Sequence, residues 1–436
     1  MKYVSTRGNA PAIGLGAALV AGLAPDGGLY VPASLPVFNV ADFDGCDTLP
    51  TIAARLLRPF FAGDALADEL DAICAEALDL PAPLRAIAPA TWLLELFHGP
   101  TAAFKDFAAR FLAACLARLR DAGDPVRTVL VATSGDTGAA VAAAFHNRPG
   151  FRVVILYPDG RVSPRQAHQL GAFGDNVHAL RVAGSFDDCQ ALVKRALADD
   201  VLKRNVALTS ANSISLGRLL PQMAYYALAA LAHRRAGGAP LNVVIPTGNL
   251  GNALGAVLAR RLGLPIGEIV LATNANRTLP DFFAGADYAP RASIATLANA
   301  MDVGAPSNFE RLRWLHPAAA DLRHALTAES VDDDAIRATI RRVHAQGGLV
   351  VCPHTATALH VLERRRAAGD ARDWSVVATA HPAKFESVIE PLLGIALDVP
   401  PALSALLARP AHAKPIRADY TDLCAVLTRE ETAPAQ

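Results

Sequence analysis

The sequence is short of several things, and each shortage closes off a class of function. It has no excess of either charge, with Lys plus Arg and Asp plus Glu at 41 each in 436 residues. No global field exists to draw in nucleic acid or an anionic membrane, so any anion must be held by a local site. Cysteine is scarce and scattered (Cys46, Cys74, Cys115, Cys189, Cys352, Cys424), with no CxxC pair and no metal-finger spacing. Such thiols are expected to be buried and free in a reducing compartment, and no metal site is expected. The alanine-rich stretches are interrupted by Arg, Asp or Gly before they reach the length of a membrane span. The opening MKYVSTRGNAPAIGLG has no apolar core or cleavage site of signal type, and a cytoplasmic location is expected. Neither a GxxxxGKS/T loop nor a GxGxxG turn is present, which argues against a plain nucleotide-binding α/β protein.

What is there is apolar material in a regular rhythm. Hydrophobic residues make up 52% against 19% charged, enough for packed interiors in two or three domains. From Val126 onward, short apolar runs alternate with helical patterns. Buried parallel strands are predicted in VRTVLVAT (126–133), RVVILYP (152–158), LNVVIPT (241–247), EIVLAT (268–273), GLVVCP (348–353) and WSVVATA (374–380). Each is followed by a polar turn and then a helix, which implies an α/β fold with parallel sheet. Ligands in such sheets sit beyond the C-terminal ends of the strands. Residues 49–80 read as helical, 81–90 as a proline-broken connector, and the final EETAPAQ as a frayed tail.

The sharpest segment is LELFHGPTAAFKDFAARFL (94–112). Gly99-Pro100-Thr101 predicts a turn, and a helix then begins close to Lys105. Phe104, Ala108, Phe111, Cys115 and Leu119 form its apolar stripe. An ammonium in the first turn of a helix, among phenylalanines, is disfavoured by both dipole and desolvation. A lysine held partly neutral is what an imine with an aldehyde requires. The bland alternative is that Lys105 pairs with Asp106 or a nearby carboxylate on a solvated face.

Two further turns suit anions. PTGNLGNALGA (246–256) joins a strand to a helix, with Gly248 and Gly251 letting the backbone approach a charged group closely. TSGDTGAA (133–140) has the same placement, and its alternative is ordinary helix capping by Ser134 or Asp136.

Taken together, FHGPTAAFKDFAARF, TSGDTGAA, SANSISLGR (210–218), PTGNLGN, TNAN (273–276), LANAMDVGAPSN (297–308) and ATAHPAKF (378–385) follow the order seen in threonine synthases. YVSTRG and APDGGLYVP (24–32) resemble that family too, so the likeness runs over nearly the whole chain. It is nearest to the longer, bacterial and fungal branch. That branch often carries an acidic residue where this chain has Asn252.

The resemblance implies a fold type II pyridoxal-phosphate enzyme related to the tryptophan synthase β-subunit. The expected division is an N-terminal segment (1–92), a smaller α/β domain with Lys105 and the TSGDT turn (93–232), and a large α/β domain (233–436). Lys105 matches the lysine that holds the cofactor covalently and moves protons. Gly248, Asn249, Leu250, Gly251 and Asn252 match the loop around its phosphate, and Thr379 the hydroxyl that meets its ring nitrogen. Ser134, Gly135, Asp136 and Thr137 match the turn for the substrate carboxylate. Asn212, Ser213 and Arg218 match the cluster for the substrate phosphate.

The implied reaction converts O-phosphohomoserine and water to threonine and phosphate. The partner is then a small molecule, without nucleic acid or membrane, and the chain a monomer or homodimer. His98, His354, His381 and Lys384 lie beside these motifs and are expected to serve structure. The nearest rival is a dehydratase or β-replacing synthase of the same fold, which does not need the SANSISLGR cluster. A cofactor-binding sensor would not need Lys105, Thr137, Arg218 and Thr379 together.

Overall fold

A computed structural model describes residues 1–428. Among these, thirteen strands form three sheets. In chain order they are β1 (Tyr3–Ser5), β2 (Tyr30–Pro32), β3 (Leu84–Ala88), β4 (Thr91–Glu95), β5 (Arg127–Ala132), β6 (Phe151–Pro158) and β7 (Val177–Ala183). There follow β8 (Ala207–Ser210), β9 (Leu241–Pro246), β10 (Ile266–Thr273), β11 (Thr327–Ser330), β12 (Trp374–Ala378) and β13 (Lys414–Arg417). β9 and β12 are buried at every residue, as continuous apolar runs covered on both faces should be.

The six-stranded sheet has the order β11-β10-β9-β12-β4-β3, parallel except for β3, which runs antiparallel to β4. The five-stranded sheet, β13-β7-β6-β5-β8, is parallel throughout. β1 and β2 form a small antiparallel pair near the N-terminus. The sheets interleave along the chain, since β13 joins the five-stranded sheet after β12 has closed the other. The α/β class with parallel sheet is as read from the sequence.

Two local readings are corrected. Residues 348–352 are not a strand: Val351 and Cys352 are buried, but the backbone has no ladder partner. The run instead leads into helix Pro353–Ala367, whose first turn is capped by the Cys352 sulfur accepting from the Thr355 N–H. The connector 81–90 contains an edge strand, β3, placed just after Pro81 and Pro83, where missing N–H groups cost no ladder bond. The expected frayed tail, 430–436, lies outside the described residues. No helix among the described residues is long and apolar enough to cross a membrane, and none of their acidic, His and Cys groups cluster as a metal site. The six cysteines are free, five of them buried.

Candidate active site

One open cavity lies where the strands of both sheets end. From the six-stranded sheet, β9 delivers Thr247–Asn252 and β12 delivers Thr379. From the five-stranded sheet, β5 delivers Ser134, Asp136 and Thr137, and β8 delivers Asn212, Ser213 and Arg218. Lys105, the first residue of helix Lys105–Arg118, completes the wall. All the singled-out residues therefore share one cavity, except Gly135, which packs behind it.

The approach to Lys105 is stitched to the end of β12. Phe104 N donates to Thr379 O at 2.8 Å, and His381 N to Ala102 O at 3.0 Å. Lys105 keeps some surface, which faces the cavity, and its Nζ lies 5.6 Å from the Phe104 ring centroid. Desolvation brings its pKa down to about 8; Asp136 opposes this, while Arg218 and Lys384 add to it. The pairing with Asp106 does not occur. Asp106 turns back onto Thr101, accepting from its N at 2.9 Å and its Oγ1 at 2.6 Å.

Asp136 is spoken for as well. Its Oδ1 meets Lys384 Nζ at 2.8 Å and accepts from Gln166 Nε2 at 2.9 Å. Lys384, wholly buried, also donates to Thr101 O at 2.8 Å. Burial alone would raise the Asp136 pKa, but the charges of Lys384, Lys105 and His354 hold it down to about 2. Gln166 Oε1 in turn accepts from Asn299 Nδ2 at 3.0 Å. A polar chain thus runs from Thr101 through Lys384, Asp136 and Gln166 to Asn299, crossing between elements of the two sheets. Gly135, at φ 131°, is the point where a Cβ would strike the Gln166 side chain at 2.6 Å.

Ser134 and Asp136 do not cap helix Asp136–Phe145. Thr133 does, its Oγ1 accepting from Gly135 N and Gly138 N at 2.9 Å each. At the other turn nothing from a side chain caps helix Gly251–Arg261, and Leu250 is held left-handed at φ 65°. Asn249 Nδ2 donates to Ser213 Oγ at 2.8 Å, and its Oδ1 accepts from Ser307 N at 2.6 Å. Asn252 Oδ1 accepts from Tyr225 and Tyr226 at 2.7 and 2.8 Å, leaving its buried Nδ2 without a partner. Gly248 is required because the loop 298–303 passes over it: a Cβ would meet Met301 Cα at 2.7 Å.

Arg218 is 3% exposed, held by Ala211 O through Nη1, with Nε unpartnered. Burial lowers its pKa to about 10, so it stays charged at neutral pH. Asn212 clasps the end of β5, donating to Ala132 O at 2.6 Å and accepting from Ala132 N at 3.1 Å. The histidines take structural bonds: His98 Nε2 lies 2.9 Å from Glu95, His381 Nδ1 accepts from Ala383 N at 3.2 Å, and His354 Nε2 accepts from Ala300 N at 3.1 Å. Burial lowers the His354 pKa to about 4, keeping it neutral.

Several contributors were not legible beforehand. The Ser163–Gln166 capping box is a readable helix start, but it carries no sign of the link to Asp136. In the DVGAPSN segment, Asp302 accepts from Thr296 Oγ1 and Asn274 Nδ2 at 2.7 Å each, which fixes the loop above Gly248. Burial raises the Asp302 pKa to about 7.

An amine of lowered pKa, an uncapped helix start with a spare buried donor, and an unpaired guanidinium N–H around one cavity suit an aldehyde cofactor bearing a phosphate. The chain is in fact a pyridoxal-phosphate-dependent enzyme of fold type II. The family described as "Pyridoxal-phosphate dependent enzyme" matches residues 77–382, flanked by "Threonine synthase N terminus" over 2–78 and "Threonine synthase, C-terminal" over 355–426. The chain is similar to threonine synthase of Serratia marcescens, 37% identical over 97% of this chain and 98% of that one. It superposes on the Escherichia coli threonine synthase structure with a TM-score of 0.90, at 36% identity over 98% and 99% of the two chains. A PLP-bound threonine synthase from Brucella melitensis gives 0.88, at 34% identity over 98% and 99%. The chain belongs to the threonine synthase family.

Proposed function

We propose that this enzyme converts O-phospho-L-homoserine and water into L-threonine and phosphate, the last step of threonine biosynthesis. The observation that carries it is the presence, in one cavity, of Lys105, the open Thr247–Asn252 turn and the separate Ser213–Arg218 cluster. Two anion-suited places beside one amine match a cofactor phosphate and a substrate phosphate.

Pyridoxal phosphate, when bound, supplies a conjugated ring that takes up negative charge from the carbons of an attached amino acid. Gly248, Asn249, Leu250, Gly251 and Asn252 would hold its phosphate, with the spare Asn252 Nδ2 a ready donor. Thr379, whose side chain lines the cavity, would meet the ring nitrogen. Lys105, with a pKa near 8, accepts and returns protons at Cα, Cβ and Cγ of the substrate. Ser134 and Thr137 with the turn amides around Gly135 receive the substrate carboxylate, and Asp136 holds that turn in place through Lys384. Ser213 and Arg218 bind the substrate phosphate, and Asn212 fixes the strand end beside them. The division at 1–92, 93–232 and 233–436 belongs to the same proposal, except that β3 and β4 join the six-stranded sheet and β13 returns to the five-stranded one; the Thr133–Thr137 turn would move over the cavity to exclude water. The enzyme acts in the cytoplasm on this small molecule, without nucleic acid, as a monomer or homodimer.

The test compares turnover of O-phosphohomoserine with that of L-serine and L-threonine. Faster turnover of the phosphate ester, with threonine and phosphate in equal amounts, is expected. Faster deamination of the phosphate-free amino acids would replace this reading with a dehydratase.

A further inference from the structure

Arg311 lies outside the cavity wall, 1% exposed, at the start of helix Phe309–Leu315. All five N–H groups of its guanidinium are used, and every acceptor is neutral. Nε and Nη2 donate to Tyr30 O at 3.2 and 3.0 Å, and Nη2 also to Ile214 O at 2.7 Å. Nη1 donates to Ser213 O at 3.1 Å and to Asn308 Oδ1 at 2.7 Å. Among the described residues no carboxylate pairs with it. The adjacent Glu310 turns outward instead, accepting from Thr6 Oγ1 at 2.6 Å and Arg7 Nε at 3.1 Å. Burial lowers the Arg311 pKa only to about 9, so the site holds a full positive charge at neutral pH. A buried charge solvated by dipoles alone is costly, and the cost falls when an opposite charge arrives nearby.

The contacts of Arg311 lead to one wall of the cavity. With its Oδ1 fixed by Arg311, Asn308 aims Nδ2 at Ser213 Oγ (3.2 Å) and Asn249 O (3.0 Å). Ser213 and Asn249 line the cavity, and Arg218 stands on the same segment as Ser213. The N-terminal motifs gain a purpose from this arrangement. β2 supplies the Tyr30 carbonyl, and Thr6 and Arg7 anchor Glu310 beside it.

We infer that Arg311 is the positioning residue and buried countercharge of the substrate-phosphate pocket, acting through Asn308 and Ser213 on a phosphate dianion that it never touches. This rests on the assignment of Ser213 and Arg218 to the substrate phosphate. It commits to that phosphate and not the cofactor's, because two of its five donors go to Ser213 O and Ile214 O.

The experiment titrates inorganic phosphate into the cofactor-loaded protein by calorimetry, and pyridoxal phosphate into cofactor-free protein by dialysis. Calorimetry needs no turnover, so a chain that made no threonine would still give an answer. Arg311→Lys keeps the charge but has three donors where the guanidinium makes five bonds to four acceptors. It is expected to weaken phosphate binding about tenfold, as for one lost charge-assisted bond, with cofactor affinity unchanged. Asn308→Ala cuts the relay while keeping the Arg311 charge and four of its five bonds, and should give a similar loss even if the arginine variant fails to fold. A structural role alone would lower Tm and leave phosphate affinity where it was. Unchanged phosphate affinity in the folded variants, a loss confined to the cofactor, or no phosphate binding by the unaltered protein would each overturn the inference.

Discussion

The turn after β5 and the turn after β9 look alike in sequence, and they use their polar atoms in opposite ways. The first is satisfied from within: Thr133 caps its helix, and Asp136 is locked between Lys384 and Gln166. The second leaves its helix start uncapped and a buried amide donor unused. A closed turn is internally rigid and offers a ligand only the amides and hydroxyls it has not used itself, whereas an open one leaves its whole helix start to an anion. Small polar residues between strand and helix therefore do not by themselves tell how a loop binds. What distinguishes the two is how many donors are left after the protein has bonded to itself.

Breaking the closed turn should have the largest effect. Lys384→Met leaves Asp136 buried and unpaired, and is expected to cost about 3–5 kcal/mol in denaturant unfolding. The same pair sets a pH dependence. The Asp136 pKa is depressed to about 2 from 3.8, so its stabilisation is complete above its unfolded value and lost as pH falls through the folded one. Acid titration of Lys384→Met should lack that component, and an identical acid limb in both proteins would contradict the ion pair's importance.

Smaller and more local, Thr133→Val removes the acceptor for two N–H groups and should cost about 1–2 kcal/mol. Cofactor affinity should be unchanged, since this turn is not the one proposed to hold the cofactor phosphate. The mirror experiment is Asn252→Ala. It should weaken pyridoxal phosphate binding about tenfold, the worth of one charge-assisted hydrogen bond, measured by equilibrium dialysis. If Thr133→Val lost cofactor and Asn252→Ala did not, the contrast between the turns would be reversed.

How much of this could be read in advance follows from the range of each interaction. The helix at Lys105 and five of the six predicted strands declare themselves through local pattern, because a strand buried on both faces needs an unbroken apolar run. The run at 348–352 has the same composition, yet it is buried without a ladder, and composition does not encode a missing neighbour. The short strands β3, β8 and β13 are partly exposed and carry little apolar signal. The site motifs stood out as motifs, but their partners did not. Lys384 reaches Thr101 across 283 positions of sequence, and Arg311 reaches Tyr30 across 281. Nothing near either residue in the chain announces the contact, and only the fold brings the pairs together.

The central claim is that Lys105 carries the cofactor in a cavity that also takes a phosphate ester. It is tested most directly by recording the visible spectrum and product yield of the intact protein and of Lys105→Ala side by side. The intact protein should show the cofactor's absorption band and release threonine and phosphate one for one from O-phosphohomoserine. Lys105→Ala should lose the covalent band and at least about a thousandfold of the rate, as for removal of a group that both binds and moves protons. A band and turnover that survive in Lys105→Ala would contradict the account.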